Sequence, residues 1–475
     1  MKIARCFTLE DQRRFAALSG DCNPIHMDPV AARRTQAGAI VVHGIHVLLW
    51  ALEELSGIEA SLAAINRVRC QFAKFMYVGQ ELVLERHPAD DGFTRFLISH
   101  HGLTVMTITV GRGELSDRPC DDAGEAIAVQ ILPADLPFEN LAQQQGWLAP
   151  IVSSVEYVDY FPKLSGAIGA DRVQSIAALS YLVGMVCPGL HSIFAKLDFD
   201  ILSAPSQRPG IGFSSELDDR FRLVHLRVSG TGIAGSLQAF ARHPPVQPPS
   251  MNDVSTLVRP DEFAGVRALI VGGSRGLGAT TAKIITAGGG SVIITYAHSA
   301  SDASGVADDI AAHRGDAAVR VLHLDVLDEK WPSLQILGEN VNAFYYFATT
   351  QIFGQKTELF SSEHFDKFIN VYVKAFQLLC KSLSNGSQLN VFYPSSIAVE
   401  QRPPGLTEYS MAKAAAEILC HDLSESNENL HIKSVRLPRI LTDQTATLTA
   451  VESADPVRVM LPIIRDMVAA APPPA

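Results

Sequence analysis

The stretch ALIVGGSRGLG, Ala268 to Gly278, reads as a buried strand that turns sharply into a helix. Four apolar residues lead into the spacing GxxxGxG, set by Gly272, Gly276 and Gly278, with Ser274, Arg275 and Leu277 between them. Such a turn lets backbone N–H groups approach a dinucleotide pyrophosphate at the N-terminus of the following helix. A glycine cluster alone is a weak signal, because tight strand-to-helix turns are common. The continuation carries more weight: SVIITY, VRVLHLDV, NAFYYFA, LNVFYPSS and IKSVRLP alternate with helical stretches. That alternation predicts a parallel sheet covered on both faces.

Working towards the N-terminus, the texture changes at RHPPVQPPSMNDV, Arg242 to Val254, whose prolines favour an extended spacer. Before it, LEDQRRFAALSG and HVLLWALEEL read as helices, and CQFAKFMYV, ELVLER, TRFLISHH and TVMTITVGRGEL as antiparallel strands around the longer one. From about Ile127 the features recur more faintly: a helix at IAALSYLVGMV, then KLDFDIL, FSSELD and RLVHLRVSG. The expected organisation is two similar α+β units over 1–126 and 127–243, a linker over 244–262, and an α/β unit over 263–475.

Composition narrows the function classes. The 475 residues are 47% hydrophobic and 19% charged, an ordinary globular balance. A formal charge of −11 argues against nucleic acid as a partner, since phosphate binding wants a basic face. MKIARCFTLEDQRRF lacks the apolar core of a secretory signal, and AGAIVVHGIHVLLWAL is short and carries two histidines, so it reads as a buried helix and not a membrane span. Seven cysteines without a CxxC pattern suggest reduced thiols and a cytoplasmic location, with no metal site expected.

The densest chemistry lies in SGDCNPIHMDP, Ser19 to Pro29. Gly20 can end a helix, Asn23-Pro24 forces an extended turn, and Asp28-Pro29 can cap and start the next helix. Asp21 and His26 then sit on a short rigid loop that aims both at one point. A carboxylate and an imidazole so placed can hold one water and exchange its proton, as addition of water across an activated double bond requires. Gly44, ahead of the apolar helix, offers a backbone N–H to a thioester carbonyl. Helix links rich in Asp, Asn and Pro are common; the fixed pattern D-x-N-P-x-H should arise by chance in under ~1% of chains this long.

FAALSGDCNPIHMDPVAARRT followed by VVHGI resembles the signature of MaoC-like (R)-specific enoyl-thioester hydratases, which have the hotdog fold. The resemblance extends over about the first 110 residues and includes CQFAKFMYVGQELVL. It implies that Asp21 and His26 are the water-activating pair, Gly44 the carbonyl-binding glycine and Asn23 a brace of the loop. The second unit has no such signature, and His191 reads as packing or surface. The resemblance then implies a double hotdog, one half catalytic and the other shaping the acyl tunnel.

In the α/β unit, Tyr409 and Lys413 lie four apart in EYSMAKAAAE and share a helix face. A nearby ammonium favours a phenolate, and Ser396, ending LNVFYPSS, can hold the substrate oxygen. With GGSRGLG, LDV, PSS, YSMAK and an LP turn in order, Phe263 to Thr442 resembles the short-chain dehydrogenases/reductases. The resemblance makes Ser396, Tyr409 and Lys413 the catalytic triad, Asn370 the helix asparagine of the proton relay, and Asp325 the acid beside adenine. Arg275, and Tyr296 where an acid would bind the ribose, favour NADPH over NAD. Two features depart from the family: FATT, Phe347 to Thr350, stands in place of N-N-A-G, and Pro438-Arg439 in place of P-G. The end VAAAPPPA also lacks the family's final strand and glycine-rich tail.

The whole is expected to be an α+β double hotdog followed by an α/β Rossmann-type doubly wound sheet. The expected function is a bifunctional, homodimeric ketoreductase–dehydratase for acyl-CoA or acyl-carrier-protein thioesters. The alternatives are the same machinery run oxidatively with NAD, or a hydratase carrying a non-catalytic reductase-like docking domain.

Overall fold

In the computed structural model the described residues are 2–58, 65–87, 93–118, 124–203, 208–328, 331, 341–352, 360–384, 386–442 and 452–469. They form two compact units that divide between Pro244 and Pro245.

The first unit is built on one antiparallel ten-stranded sheet. Its strands are β1 (Lys2–Cys6), β2 (Ile65–Phe72), β3 (Glu81–His87), β4 (Phe93–His100), β5 (Leu103–Arg112), β6 (Gln145–Leu148), β7 (Ser192–Ile201), β8 (Ile211–Asp218), β9 (Leu223–Gly230) and β10 (Ile233–Ala241). The spatial order is β1-β3-β4-β5-β2-β7-β10-β9-β8-β6. Read from its outer edge, each half follows the same path: first strand, third, fourth, fifth, second. The halves join where β2 pairs with β7, and Arg67 and Arg69 on β2 both donate to the Asp198 carboxylate on β7, at 2.7 and 3.2 Å. The short edge strands β1 and β6 were not foreseen from the sequence. Four or five residues leave too little alternation to read.

Helical segments lie between the first and second strand of each half. In the first half these are α1 (Leu9–Ser19), the short α2 (Pro24–Met27) and α3 (Pro29–Arg33), and α4 (Gly44–Ile58). In the second half the counterpart of α4 is the helix Ala170–Tyr181, which runs into a π turn over Leu182–Val186. Val47, Leu48, Leu49, Trp50, Ala51 and Leu52 on α4 are all buried, so this stretch of the helix is enclosed on every side within the core. One continuous apolar cluster joins it to Val173, Ile176 and Leu179 of the second half.

The second unit holds a parallel six-stranded sheet: β11 (Arg267–Val271), β12 (Ser291–Tyr296), β13 (Val319–His323), β14 (Ala343–Tyr346), β15 (Leu389–Ser396) and β16 (Leu430–Leu437). The order is β13-β12-β11-β14-β15-β16, so the chain reverses direction across the sheet between β11 and β14. In doubly wound sheets that reversal opens a crevice at the carboxyl ends of the two strands. The segment 244–262 is partly structured: a helix over Met251–Ser255 buries Met251 and Val254 in the same cluster as β11 and β12. Proline content marked the spacer but not where packing resumes. None of the described helices is long and apolar enough to cross a membrane.

Candidate functional site

The N-terminal site is assembled by helix ends. Gly20, at φ 84, closes α1 in the left-handed conformation and donates to the Ala16 carbonyl. Asn23 caps α2, its side-chain oxygen accepting from the Ile25 N–H at 3.2 Å, and Asp28 caps α3. The sequence placed His26 on a loop; the structure puts it on the single turn α2, because Pro24 is preorganised for the first helical position. Its Nδ1 lies 2.7 Å from the Val41 carbonyl oxygen, which can only accept, so Nδ1 carries an N–H and Nε2 is left to exchange a proton.

Asp21 is buried, 2% exposed. Its Oδ1 accepts from the Asn23 N–H at 3.2 Å and its Oδ2 from the Ser180 hydroxyl at 2.6 Å. Burial raises its pKa above the ordinary carboxylate value, while the charge of His26 and the bonds from Ser180 and Asn23 pull the other way. Ligating atoms of Asp21, His26 and His43 all lie within 4.8 Å of one another. The expected pair is therefore together, and His43, to which the sequence assigns no role, joins it.

His43 is fully buried and its ring stacks on that of His26, centroids 3.9 Å apart. Nδ1 faces Gln12 Oε1 at 2.9 Å and Nε2 faces the Asp21 carbonyl oxygen at 2.9 Å. Gln12 Oε1 also accepts the His43 backbone N–H at 3.0 Å, which fixes the amide's orientation. Burial, and then the charge of His26, hold His43 well below the usual histidine range. The spacing of the trio suits a metal ion, but the His43 nitrogens face Gln12 Oε1 and the Asp21 carbonyl oxygen, a neutral ring donates to one of them only, and His43 meets His26 through its ring face.

Gly44 is the first residue of α4, where the N–H has no intrahelical acceptor. A Cβ there would lie 2.7 Å from the Phe72 ring, so only glycine lets the ring and the helix end approach. Asn23 does brace the loop, donating through Nδ2 to the carbonyls of Gly184 at 2.7 Å and Gly189 at 3.1 Å. His191 instead pairs with Asp135 at 3.0 Å.

In the second unit the glycine turn follows β11 at the sheet reversal. Gly272, at φ 81, passes so close to the FATT segment that a Cβ would sit 2.9 Å from the Ala348 nitrogen. Gly278 packs its helix against the turn: a Cβ would be 2.2 Å from the Gly272 oxygen. Gly276, at φ 54, opens the helix Gly276–Ala287, and a Cβ there would meet nothing nearer than Thr442 Cγ2 at 3.8 Å. A tight turn with an open helix N-terminus above it is a cradle that fits a pyrophosphate. Ser274 and Arg275 lie in the turn itself, and Leu277 packs into the core beneath. Asp325 sits just past β13, its Oδ1 accepting the Leu327 N–H at 3.0 Å. Tyr296 ends β12 and packs edge-on against His323, 5.3 Å between centroids.

Tyr409 and Lys413 share the helix Thr407–Ser426, and Ser396 at the end of β15 is near enough to Tyr409 to influence its phenol. Burial raises the phenol pKa, and the neighbouring Ser396 hydroxyl lowers it. Asn370 begins a π turn, Asn370–Ala375, that widens the preceding helix. Lys413 is 5% exposed; its Nζ donates to the Pro394 carbonyl at 2.7 Å and lies 4.1 Å over the Tyr372 ring and 4.7 Å over Tyr393, against 6.0 Å to the Tyr409 ring. Burial brings its pKa down to about 7, opposed by Cys420 and Glu417. The aromatic box was not legible in the sequence, because Tyr372 and Tyr393 come from a helix and a strand that meet only in the fold.

Comparison with known proteins gives two family matches: "MaoC like domain" over residues 2–91 and "short chain dehydrogenase" over residues 267–453. An uncharacterized oxidoreductase of Mycobacterium tuberculosis is 29% identical over 219 residues, 41% of this chain and 63% of that protein. The chain thus spans less than two thirds of that relative. A 3-oxoacyl-[acyl-carrier-protein] reductase of Synechocystis is 26% identical over 212 residues, 42% of this chain and 82% of its own. Among solved structures, a short chain dehydrogenase from Pseudomonas syringae covers 44% of this chain and 91% of its own at 21% identity and TM-score 0.39. One from Burkholderia cenocepacia, in complex with NADP, covers 43% and 91% at 21% identity and TM-score 0.39. The chain is a fusion of a MaoC-like domain at its N-terminus and a short-chain dehydrogenase domain at 267–453.

Proposed function

We propose that the chain interconverts 3-oxoacyl, (R)-3-hydroxyacyl and trans-2-enoyl thioesters carried on coenzyme A or acyl-carrier protein. The observation that carries this reading is the buried Asp21 carboxylate set beside the half-buried His26, with the Gly44 helix end nearby in sequence and family pattern. The repeated strand order of the first unit supports reading it as a double hotdog, divided near residue 126.

In hydration, Asp21 and His26 Nε2 hold one water. Its oxygen bonds to the β-carbon as its proton passes to the pair, and the α-carbon takes up a proton while the Gly44 N–H stabilises the thioester oxygen. Dehydration is the reverse.

In the second unit a nicotinamide dinucleotide, when bound, supplies or accepts a hydride. The glycine turn from Gly272 to Gly278 with Ser274 and Arg275 would hold its phosphates, and Asp325 would lie beside its adenine. The chain's own part is to hold the substrate oxygen at Ser396 and deliver a proton from Tyr409, with Asn370 and Lys413 extending the relay. Tyr296, standing where an acid would bind a ribose hydroxyl, supports NADPH over NAD. The relative named as a 3-oxoacyl-carrier reductase supports the reductive direction.

A second reading has its own observation. Lys413 lies against Pro394 and Tyr372, farther from Tyr409, as in a domain retained for docking without turnover. The test is direct: the purified chain is mixed with a crotonyl thioester and loss of the conjugated enoyl absorbance is followed, with Asp21→Asn as control. Binding of NADPH and NADH, measured by fluorescence, then separates the two readings of the second unit. Hydration lost in the variant supports the first site; binding of neither dinucleotide supports the docking role.

A further inference from the structure

The half of the first unit that lacks the D-x-N-P-x-H pattern supplies atoms to it. The helix Ala170–Tyr181 widens into the π turn Leu182–Val186 and brings Ser180 and Gly184 against Asp21. The Ser180 hydroxyl donates to Asp21 Oδ2 at 2.6 Å, and both residues are buried. A Cβ on Gly184 would fall 2.3 Å from Asp21 Oδ1, so the backbone of the second half is pressed against the carboxylate. The same turn receives the Asn23 side chain through the Gly184 carbonyl.

We propose that Ser180 is the positioning residue of the hydratase site, fixing the Asp21 carboxylate and keeping it in its basic form from the half that has no catalytic loop of its own. This rests on the hydratase reading above. A buried carboxylate tends to take up a proton, and a hydroxyl that donates to the charged form opposes that. Ser180 is 4% exposed, so water does not readily replace its hydroxyl. The short, direct contact also fixes the carboxylate's rotation.

The consequence is a pH signature that a space-filling serine would not produce. Without the Ser180 donor the Asp21 carboxyl rises further, so the base form is lost at a higher pH. The test compares wild type, Ser180→Ala, the similarly sized Ser180→Cys and Ser180→Thr in hydration of a crotonyl thioester across pH. The alanine and cysteine variants are expected to lose about ten- to hundredfold in kcat, as for one charge-assisted hydrogen bond. Their acid limb should move up by about one pH unit, and Ser180→Thr should restore both within a few-fold. Isotope-edited infrared titration of the Asp21 carboxyl, taken by difference from Asp21→Asn, should show the same upward move without relying on turnover.

An unmoved titration and acid limb in the cysteine variant, or a threonine variant as impaired as alanine, overturns the assignment. The cysteine variant decides if alanine fails to fold. A wild type that never hydrates, with an infrared midpoint that still moves, contradicts the hydratase reading and leaves the Ser180 contact standing. Hydration in wild type with neither measure moved sinks the Ser180 assignment alone.

Discussion

Asp21 is a carboxylate in a place that disfavours charge, held there by two donors and a neighbouring imidazole. Asp21→Asn removes the base while keeping the shape, and His26→Gln removes the exchangeable proton. Each should lower hydration by about 10²- to 10⁴-fold, measured as kcat/KM with a crotonyl thioester and unchanged circular dichroism. Lys413 gives a second prediction at this scale. Burial brings its pKa down to about 7, so the ammonium is present below that value and lost above it. Ketone reduction should therefore fall as pH rises past about 7, and Lys413→Met should lose both the rate and that limb, read as dinucleotide oxidation against pH. What short sequence distance decides was legible here: Gly20, Asn23 and Asp28 end and cap the helices between which Asp21 and His26 lie. Gln12, His43 and Ser180 were not, because hydrogen bonds spanning 31 and 159 positions leave no periodicity or turn chemistry to read.

At the scale of elements, the first site is a junction of helix ends from both halves of one sheet. α1 ends, α2 and α3 begin, and the π turn Leu182–Val186 closes over them. Gly184→Ala would drive a methyl group into the Asp21 carboxylate. It should reduce hydration at least about tenfold, because a displacement of this order disrupts alignment of the reacting groups. Reduction of a 3-oxoacyl thioester, assayed with the same preparation, should be unchanged. The elements themselves were largely readable: the alternating strands, the Gly20 stop and the Asp28-Pro29 start all follow from local physics. The short edge strands, the one-turn helix carrying His26 and the π turns were not, since each depends on contacts made by the folded chain.

For the whole molecule, the chain divides into two compact units, and the proposed function gives each its own reaction. On the proposed function their substrates would share the (R)-3-hydroxyacyl thioester, the product of one and the substrate of the other. The activities should be separable: Asp21→Asn abolishes hydration and leaves dinucleotide-dependent reduction, while Tyr409→Phe does the reverse, with both assays run on each variant. The division into units could be read from the prolines of 242–254 and the change from antiparallel to alternating texture. The direction of flux could not, because it depends on cofactor supply as well as on side chains.

The most direct measurement supplies purified protein with a crotonyl thioester and NADP+, following the enoyl absorbance and the reduced dinucleotide together. The account predicts that the first falls and the second rises in wild type. Asp21→Asn should abolish both signals, and Tyr409→Phe only the dinucleotide signal. Hydration that persists undiminished in Asp21→Asn, or is absent in wild type with both coenzyme A and carrier-protein thioesters, would contradict it.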